Sequence, residues 1–464
     1  MDFALTEEQL EFKRHCRTFA REVIRPAASR HDADESVPWE VIKAARAEGL
    51  EGLELVQGFG ADPSGQTTVI YAEEMHWGCA GIALAMSGST LAAAGIISAG
   101  TPEQIERWIP ECIGAGDEIK IGAYAVTEPQ AGSDVKSLRT TAKLDGDEWV
   151  LNGTKVFISN GGIADLHVVV ATVDPDLGHR GQASFVIGKH TAGIRQGKKE
   201  SKIGIRASHT AEVVLEDCRI PAENLLGGME KLERKLERGR LGQSSGRGSE
   251  ALATFEMTRP SVGASALGIA QAAYEWTLGY FLDDDVPADA LDEALDDFST
   301  AGKPHLERQR IQQVLADVAT EIEASRLLIQ RAAWMGRNGV SMTGGQGSMS
   351  KLKAGDVTMW ATTALMDLVG PAAASSPLEK WFRDAKIYQL FEGTAQIQRL
   401  VISRMQADVY REQLLESIEI AFEAMSTTDA AATGDSAENG GDPAGEVAHS
   451  GNAAGDTTPE RAVA

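Results

Sequence analysis

The sequence predicts a mainly α-helical protein with a central β domain. Three observations carry this prediction. Apolar residues recur at helical spacing from Thr6 to about Gly116, short β-branched runs fill the middle of the chain, and helical spacing returns from Ala251 to about Ala424. Helices, then strands, then helices indicate three folded regions, and a tail of different composition follows them.

The first predicted domain, residues 1–118, is helical. Thr6 offers an N-cap, and acidic residues occupy the first turn after it. The segments 92–97 and 108–113 continue the helical character. The apolar positions that follow the cap lie mostly three or four residues apart: Leu10, Phe12, Cys16, Phe19 and Val23.

The second predicted domain, residues 119–227, is a compact antiparallel β domain. Residues 149–158 hold two short alternating runs around Asn152-Gly153, which predicts a hairpin turn at that dipeptide. Gly, Pro and Asp separate three further β-branched runs, at residues 167–173, 183–187 and 211–215.

Two segments and a third domain complete the chain. Residues 228–250 form an insertion that opens as a charged helix and continues through Gly- and Ser-rich sequence, which predicts a mobile loop. Residues 251–425 form the C-terminal helical domain. Residues 426–464 contain almost no large apolar side chains, so we expect a disordered acidic tail.

Composition excludes several classes of function. With 464 residues, a net charge of -24 and a pI near 4.8, the chain does not suit nucleic acid or an anionic membrane surface. The four cysteines form no CxxC pair, so we expect reduced thiols and no metal site. We found no signal-peptide pattern and no apolar stretch judged long enough to span a bilayer, so the prediction is a soluble, cytoplasmic protein.

One carboxylate stands out near the C-terminal end. Glu392 lies between Phe391 and Gly393 within residues 384–399, just before an amphipathic helical pattern. An apolar neighbour raises the pKa of a carboxyl group and strengthens it as a base, and glycine lets the backbone approach a ligand closely. This arrangement suits removal of a weakly acidic proton from carbon. The alternative is a solvated glutamate in a loop.

A second constellation lies at residues 124–135. It is a strand followed by a Pro/Gly turn, with backbone donors and two hydroxyl groups that suit an anion or a heteroaromatic edge. A surface turn without a ligand would look similar. The aromatic–apolar–hydroxyl triplet Phe157-Ile158-Ser159 follows it.

These segments, in this order, resemble the acyl-CoA dehydrogenase family over about residues 1–412. The resemblance implies an N-terminal helical domain, a small antiparallel β barrel or sandwich and a C-terminal four-helix bundle. It also implies an FAD-dependent oxidoreductase. In that reading Glu392 takes the α-proton of an acyl-CoA, a β-hydride passes to FAD, and a trans-2-enoyl-CoA is formed.

The resemblance assigns further site residues. Those expected to contact FAD are Tyr124, Val126, Thr127, Ser133, Phe157, Ser159, Thr394 and Gln396. Those expected near the acyl-CoA are Ser133, Arg206, Phe255, Thr258, Arg259 and Gly393. Arg206 could pair with a coenzyme A phosphate, although a surface ion pair explains it equally well. Thr258 occupies the position where some family members keep their base, which leaves Glu392 for that role.

The chain also departs from the family at two elements normally lent to a neighbouring subunit's FAD. Phe298 and Ala301 replace an arginine and a phenylalanine, and residues 366–371 replace a Gln-x-x-Gly-Gly motif. We therefore expect a hetero-oligomer with a homologous chain, with a homo-oligomer as the alternative. Electron-transferring flavoprotein is the implied electron acceptor.

Other functions stay open at this point. One is a non-catalytic partner subunit or an acyl-thioester-binding protein, and a closer one is an acyl-CoA oxidase. The sequence determines neither the length nor the type of the acyl chain.

Overall fold

A computed structural model describes residues 4–242, 250–281 and 305–434, and the side chains of residues 4–242, 258–281 and 309–420. The chain divides into two compact units, Met1–Ala407 and Asp408–Ala464. In the second unit the described side chains, up to residue 420, are mostly exposed.

The N-terminal region is helical, as predicted. Thr6 and Thr101 each begin a helix with a reciprocal capping box, because the third helical residue is a glutamine that bonds back to the cap. A π-helical turn at Ala20–Ile24 joins the first two helices. The helices are α1 (Glu7–Phe19), α2 (Arg25–Asp34), α3 (Trp39–Ala47), α4 (Leu53–Ala61), α5 (Gln66–Gly78), α6 (Ala80–Ser87), α7 (Ser89–Ala99) and α8 (Pro102–Ile113).

The expectation that no stretch could span a membrane is wrong for α6 and α7. In the described part of the chain, Ala80–Ala99 is long and apolar enough by length and composition. Two thirds of it, 67%, is buried inside the protein. Its small residues let it pack closely in the core: a Cβ at Gly95 would come within 2.7 Å of the Tyr124 ring. The cytoplasmic location stays a prediction.

The middle region is one seven-stranded sheet in the order β1-β4-β2-β3-β7-β6, with β5 paired to β4. Most pairs are antiparallel, whereas β4 lies parallel to β1 and to the start of β2. The predicted strands at 167–173, 183–187 and 211–215 all occur. The strands are β1 (Gly122–Ala125), β2 (Thr141–Asp145), β3 (Glu148–Ser159), β4 (Leu166–Thr172), β5 (Gln182–Gly188), β6 (Ile194–Lys199) and β7 (Thr210–Pro221).

The hairpin predicted at Asn152-Gly153 is wrong, because β3 runs straight through that dipeptide. Asn152 instead bonds through its side chain to Asp217 of β7, at an irregularity in the β3–β7 register. Gly153 is needed because a Cβ there would meet the Thr140 hydroxyl oxygen at 2.4 Å. The hairpin turn lies earlier, at Gly146, whose φ is +67°.

The sheet is buried on both faces near β1 and β4. Alternate side chains point to opposite faces, so Val169 joins a cluster with Phe185 on one side. Val168 and Tyr124 lie on the other side, against Ile96 of α7. The β domain is thereby fixed against the N-terminal helices.

The C-terminal region is again helical, which confirms the predicted fold class. The helix α9 falls in the predicted charged insertion, while residues 243–249 and 282–304 lie outside the described residues. The last helix extends to Gly434, past residue 426 where the disordered tail was expected to begin. The helices are α9 (Gly228–Arg240), α10 (Glu250–Phe281), α11 (His305–Arg337), α12 (Gln346–Val369), α13 (Pro377–Ala385) and α14 (Ala395–Gly434).

Candidate active site

Glu392 lies in the short loop between a 3₁₀ helix, Lys386–Gln389, and α14. Its φ is +51° and that of Gly393 is +89°, so two successive residues adopt a left-handed backbone. Such a conformation is strained for a non-glycine residue and points to a functional constraint. Thr394 ends the turn, because its hydroxyl oxygen accepts a hydrogen bond from the Ile397 N–H at 3.2 Å.

The carboxyl group of Glu392 faces α10. Its Oε2 accepts a hydrogen bond from the Thr258 hydroxyl at 2.7 Å. Burial raises the pKa of Glu392, and the Thr258 hydrogen bond and the charges of Lys351 and Arg259 oppose that rise. The preceding residue, Phe391, has its ring 5.0 Å from that of buried Tyr388 in an edge-on contact. The Glu392 carboxyl group therefore has surroundings that raise its pKa, as a proton-abstracting base requires.

Two residues beside Glu392 were not predicted. Gln398, fully buried, donates through Nε2 to the carbonyl of Glu392 at 3.0 Å. Lys351 of α12 donates through Nζ to the carbonyl of Gly393 at 2.9 Å. The sequence carried a signal for Lys351, since it lies at helical spacing with the small buried residues Gly347, Ala354 and Thr358.

The structure describes the side chains of only some of the residues on α10 that were predicted to contact the acyl-CoA. Thr258 and Arg259 lie beside Glu392, as expected, and Arg259 is buried with Nη1 bonded to the Ser348 hydroxyl at 3.1 Å. Arg259 lies inside α10, beyond its first two turns. The side chain of Phe255 lies outside the described residues. The substrate roles of these residues and of Gly393 stay predictions.

The predicted flavin segment begins in the core. The side chains of Tyr124 and Val126 are buried in the cluster between the sheet and α7. Contact with a cofactor would therefore have to come from their backbone atoms. Thr127 is partly exposed and Ser133 is exposed on the turn that follows.

Phe157 is the most unusual residue of the β domain. It has a φ of +59°, and its side chain is 65% exposed. It lies in an irregular part of the β3–β7 ladder, between Lys155 and Ile158, where the backbone turns the ring outward. The N–H of the preceding residue, Val156, donates to the Thr127 carbonyl at 2.8 Å. This bond places the two segments predicted to contact the flavin, 124–135 and 157–159, side by side.

This arrangement fits a flat heteroaromatic cofactor such as FAD. An exposed aromatic ring on a strained backbone lies beside the partly exposed Thr127, and Ser159 and Ser133 are also exposed on these segments. The ring offers a stacking face, and the hydroxyl groups offer both donors and acceptors. On α14, Gln396 is exposed, whereas the Thr394 hydroxyl caps the helix.

A buried ion pair holds the two flavin motifs together. Lys155 Nζ lies 2.7 Å from Glu128 Oε1 and donates to the Val126 carbonyl at 2.9 Å. Burial alone would raise the pKa of Glu128, but the Lys155 ammonium and hydrogen bonds from Thr140 and Arg139 hold it at about 2. Burial also lowers the pKa of Lys155, to about 8. With a pKa of about 2 for Glu128 and about 8 for Lys155, both groups are ionised at neutral pH. The Glu128 carboxylate also accepts hydrogen bonds from two backbone N–H groups.

Arg206 is engaged by the protein itself. Its guanidinium donates to the carbonyl of Asp32 at 2.6 Å and lies 3.0 Å from the Glu35 carboxylate. This matches the ion-pair alternative, and the coenzyme A role stays a prediction. The neighbouring Ile205 N–H bonds to buried Asp384 of α13 at 2.6 Å, which ties this segment to the helix before the Glu392 loop.

The elements behind the hetero-oligomer prediction are only partly described. Phe298 and Ala301 lie outside the described residues. In the other element, α12 ends at Val369 with Gly370 at a φ of +75°, and Met366 packs against the helical core. The subunit composition stays a prediction.

The fold and this site define a class: helix–sheet–helix proteins with a shielded carboxyl group before the last helix and an exposed aromatic ring on the sheet. Three domain profiles of the acyl-CoA dehydrogenases match: the N-terminal domain at residues 6–115, the middle domain at 123–218 and the C-terminal domain at 246–406. The chain belongs to the acyl-CoA dehydrogenase family, whose members are FAD-dependent oxidoreductases.

Comparison with individual proteins gives the same family assignment. The chain is 35% identical over 406 residues to the probable acyl-CoA dehydrogenase FadE25 of Mycobacterium tuberculosis, covering 87% of this chain and 96% of the relative. It is 36% identical over 410 residues to acryloyl-CoA reductase (NADH) of Anaerotignum propionicum, covering 87% and 95%. Butyryl-CoA dehydrogenase of Megasphaera elsdenii has a similar solved structure, with a TM-score of 0.73, 32% identity and coverage of 87% and 99%.

Proposed function

We propose that this protein desaturates an acyl-CoA thioester between the α- and β-carbons, with Glu392 as the base and FAD as the cofactor. The observation that carries the proposal is the Glu392 carboxyl group. It is shielded enough for burial to raise its pKa, and it is oriented by the Thr258 hydroxyl. A base for a weakly acidic C–H needs both properties.

Stabilising the enolate oxygen is the second requirement. In the described part of the chain, no acceptor hydrogen-bonds the backbone N–H of Glu392. This N–H lies in the left-handed turn at residues 392 and 393, in the same loop as the proposed base. We assign it to the thioester oxygen, whose negative charge grows as the α-proton leaves.

The β domain supplies most of the residues that we propose to bind the cofactor. When bound, FAD would supply the acceptor for the hydride that leaves the β-carbon. Phe157 would stack on the flavin, Thr127 and Ser159 would hydrogen-bond to it, and Ser133 would reach its phosphates. The Glu128–Lys155 pair would hold these segments in register.

Exchange of the base tests the proposal. Glu392→Gln should keep its FAD yet lose flavin reduction by acyl-CoA by about 10²–10⁴-fold, the usual contribution of a general base. Rapid-mixing absorbance at the flavin band measures this. Glu106→Gln, at an exposed glutamate of α8, is the matched control. Near-normal flavin reduction in Glu392→Gln would exclude Glu392 as the base.

We propose electron-transferring flavoprotein as the acceptor of the electrons. A chain in a solved structure of the electron transferring flavoprotein of Acidaminococcus fermentans is 32% identical to this one, with a TM-score of 0.73. The oxidase alternative has a neighbour too, the prolyl acyl carrier protein oxidase AnaB, at 27% identity and a TM-score of 0.70. Reoxidation of the substrate-reduced protein by the flavoprotein, compared with that by dissolved oxygen, separates the two functions.

The oligomer is also a proposal. We retain a hetero-oligomer with a homologous chain, and a homo-oligomer as its alternative. The mass and flavin content of the chain expressed alone distinguish them, since one FAD per chain in a stable homo-oligomer would exclude the first.

A further inference from the structure

A lysine is buried beside the base without a partner carboxylate of its own. Lys351 is 1% exposed, and its Nζ donates to the Gly393 carbonyl at 2.9 Å. Among the described residues, no carboxylate forms a salt bridge with it. A buried ammonium is costly unless charge and hydrogen bonds compensate it, so its retention here calls for a reason.

The charges around Lys351 come from three elements. The Glu392 loop contributes its carboxyl group, α10 contributes the guanidinium of Arg259, and α12 itself contributes Asp356. Burial lowers the pKa of Lys351 to about 8, which Glu392 and Asp356 oppose and Arg259 favours. Asp356 already pairs with Arg399 at 2.6 Å, so Glu392 is the other carboxyl group whose charge acts on Lys351.

Further titratable groups lie in the segment that precedes Glu392. Burial raises the pKa of the Tyr388 phenol well above its ordinary value, with smaller contributions from Asp384 and Glu392, so the phenol stays neutral. Asp384 is paired with Lys380 and bonded to the Ile205 N–H. Lys351 and Arg259 are the cations whose charges lower the pKa of Glu392.

The backbone contact gives Lys351 a second effect. Glu392 and Gly393 both have left-handed φ angles, which cost free energy unless the surroundings hold them. Gln398 donates to the Glu392 carbonyl at 3.0 Å and to the Gly393 carbonyl at 3.3 Å, and Lys351 donates to the Gly393 carbonyl at 2.9 Å. These contacts together fix the turn that aims the carboxyl group at Thr258.

We propose that Lys351 is a positioning residue for the base: its ammonium clamps the Glu392 turn, and its positive charge favours the carboxylate form that accepts the α-proton. The inference rests on the proposed role of Glu392. Arg259 supports the same charge state from α10, where it also bonds to Ser348.

The test separates charge from backbone contact. Lys351→Gln keeps an N–H donor and loses the charge, whereas Lys351→Arg keeps the charge. Lys353→Gln is the matched control, because Lys353 lies on the same helix and pairs with Glu321 at the partly exposed surface. Each FAD-loaded protein is mixed with an acyl-CoA across a pH series, and the limiting rate of flavin reduction is recorded.

A second readout avoids turnover. A 3-thia acyl-CoA has sulfur at the β-position and no hydride to give, so its change in flavin absorbance follows α-proton removal alone. In Lys351→Gln we expect the midpoint of this change to move to higher pH, because the carboxylate form has lost its neighbouring charge. The rate of flavin reduction at neutral pH should fall about tenfold or more, the scale of one hydrogen bond to a charged group.

The outcomes are distinct. Lys351→Arg and Lys353→Gln should keep the midpoint of the unmodified protein. A midpoint in Lys351→Gln equal to that of Lys353→Gln would overturn the inference. Lys351→Met, which removes donor and charge, answers the same question if Lys351→Gln does not fold. If Glu392→Gln retained desaturation, the proposed function itself would fail, whatever the lysine variants show.

Discussion

Replacing Lys155 with methionine should lower the free energy of unfolding by about 3 kcal/mol at neutral pH. Lys155 and Glu128 are both buried, with Nζ and Oε1 2.7 Å apart. The shift in the pKa of Glu128 from its ordinary 4.5 to about 2 corresponds to about 3 kcal/mol, shared between Lys155 and the N–H donors. Removing one member of a buried pair typically costs about 3–5 kcal/mol, because the other charge stays uncompensated.

The pH dependence has a defined sign. The pKa of Glu128 is lower in the folded protein than in the unfolded chain, so the stabilisation is present above pH 4.5 and is lost as the pH falls to about 2. The difference between the unmodified protein and Lys155→Met should therefore shrink as the pH falls, since protonation removes the unpaired buried charge.

Urea unfolding followed by circular dichroism measures the effect. Because a bound ligand adds to stability by mass action, each protein is compared both without FAD and at saturating FAD. Lys155→Met should also retain FAD poorly, since Lys155 holds the Val126 carbonyl next to Thr127. Lys143→Met, at an exposed position of β2, should stay within about 0.5 kcal/mol of the unmodified protein.

A double variant tests whether the loss of stability comes from the unpaired charge of Glu128. Lys155→Met combined with Glu128→Gln leaves no buried charge, so it should be more stable at neutral pH than Lys155→Met alone. If the single variant lost less than about 1 kcal/mol, or the double variant were the less stable of the two, the pair would not stabilise the protein as argued.

Two further variants address the site directly. Thr258→Val removes the 2.7 Å hydrogen bond to Glu392, so the pKa of Glu392 should rise. The pH profile of flavin reduction should then move to higher pH. An unchanged profile would show that this hydrogen bond does not influence the proposed base. Phe157→Ala should weaken FAD retention about tenfold while leaving the fold unchanged, because in the proposed site the 65% exposed ring would stabilise the cofactor and contributes little to the core. Flavin content after gel filtration and thermal unfolding measure this, and equal flavin content would count against stacking.

The sequence by itself determined the fold class and pointed to Glu392 as the proposed base. Helical spacing and β-branched runs are local patterns, and they located the helical regions and the strands around residues 167–173, 183–187 and 211–215. Glu392 was found because its neighbours, Phe391 and Gly393, are adjacent in the chain and define its chemistry locally. The family profiles agree with the fold class, and the role of Glu392 stays a proposal.

Only the tertiary structure decided the remaining features. Asn152-Gly153 looked like a turn, yet Asp217 and Thr140, each distant in sequence, hold it within a strand. Lys351 and Thr258 reach Glu392 from two different helices, and no spacing in the chain records that meeting. Contacts between residues far apart in sequence depend on how the elements pack, whereas a pattern of neighbouring residues reports only the local conformation and chemistry.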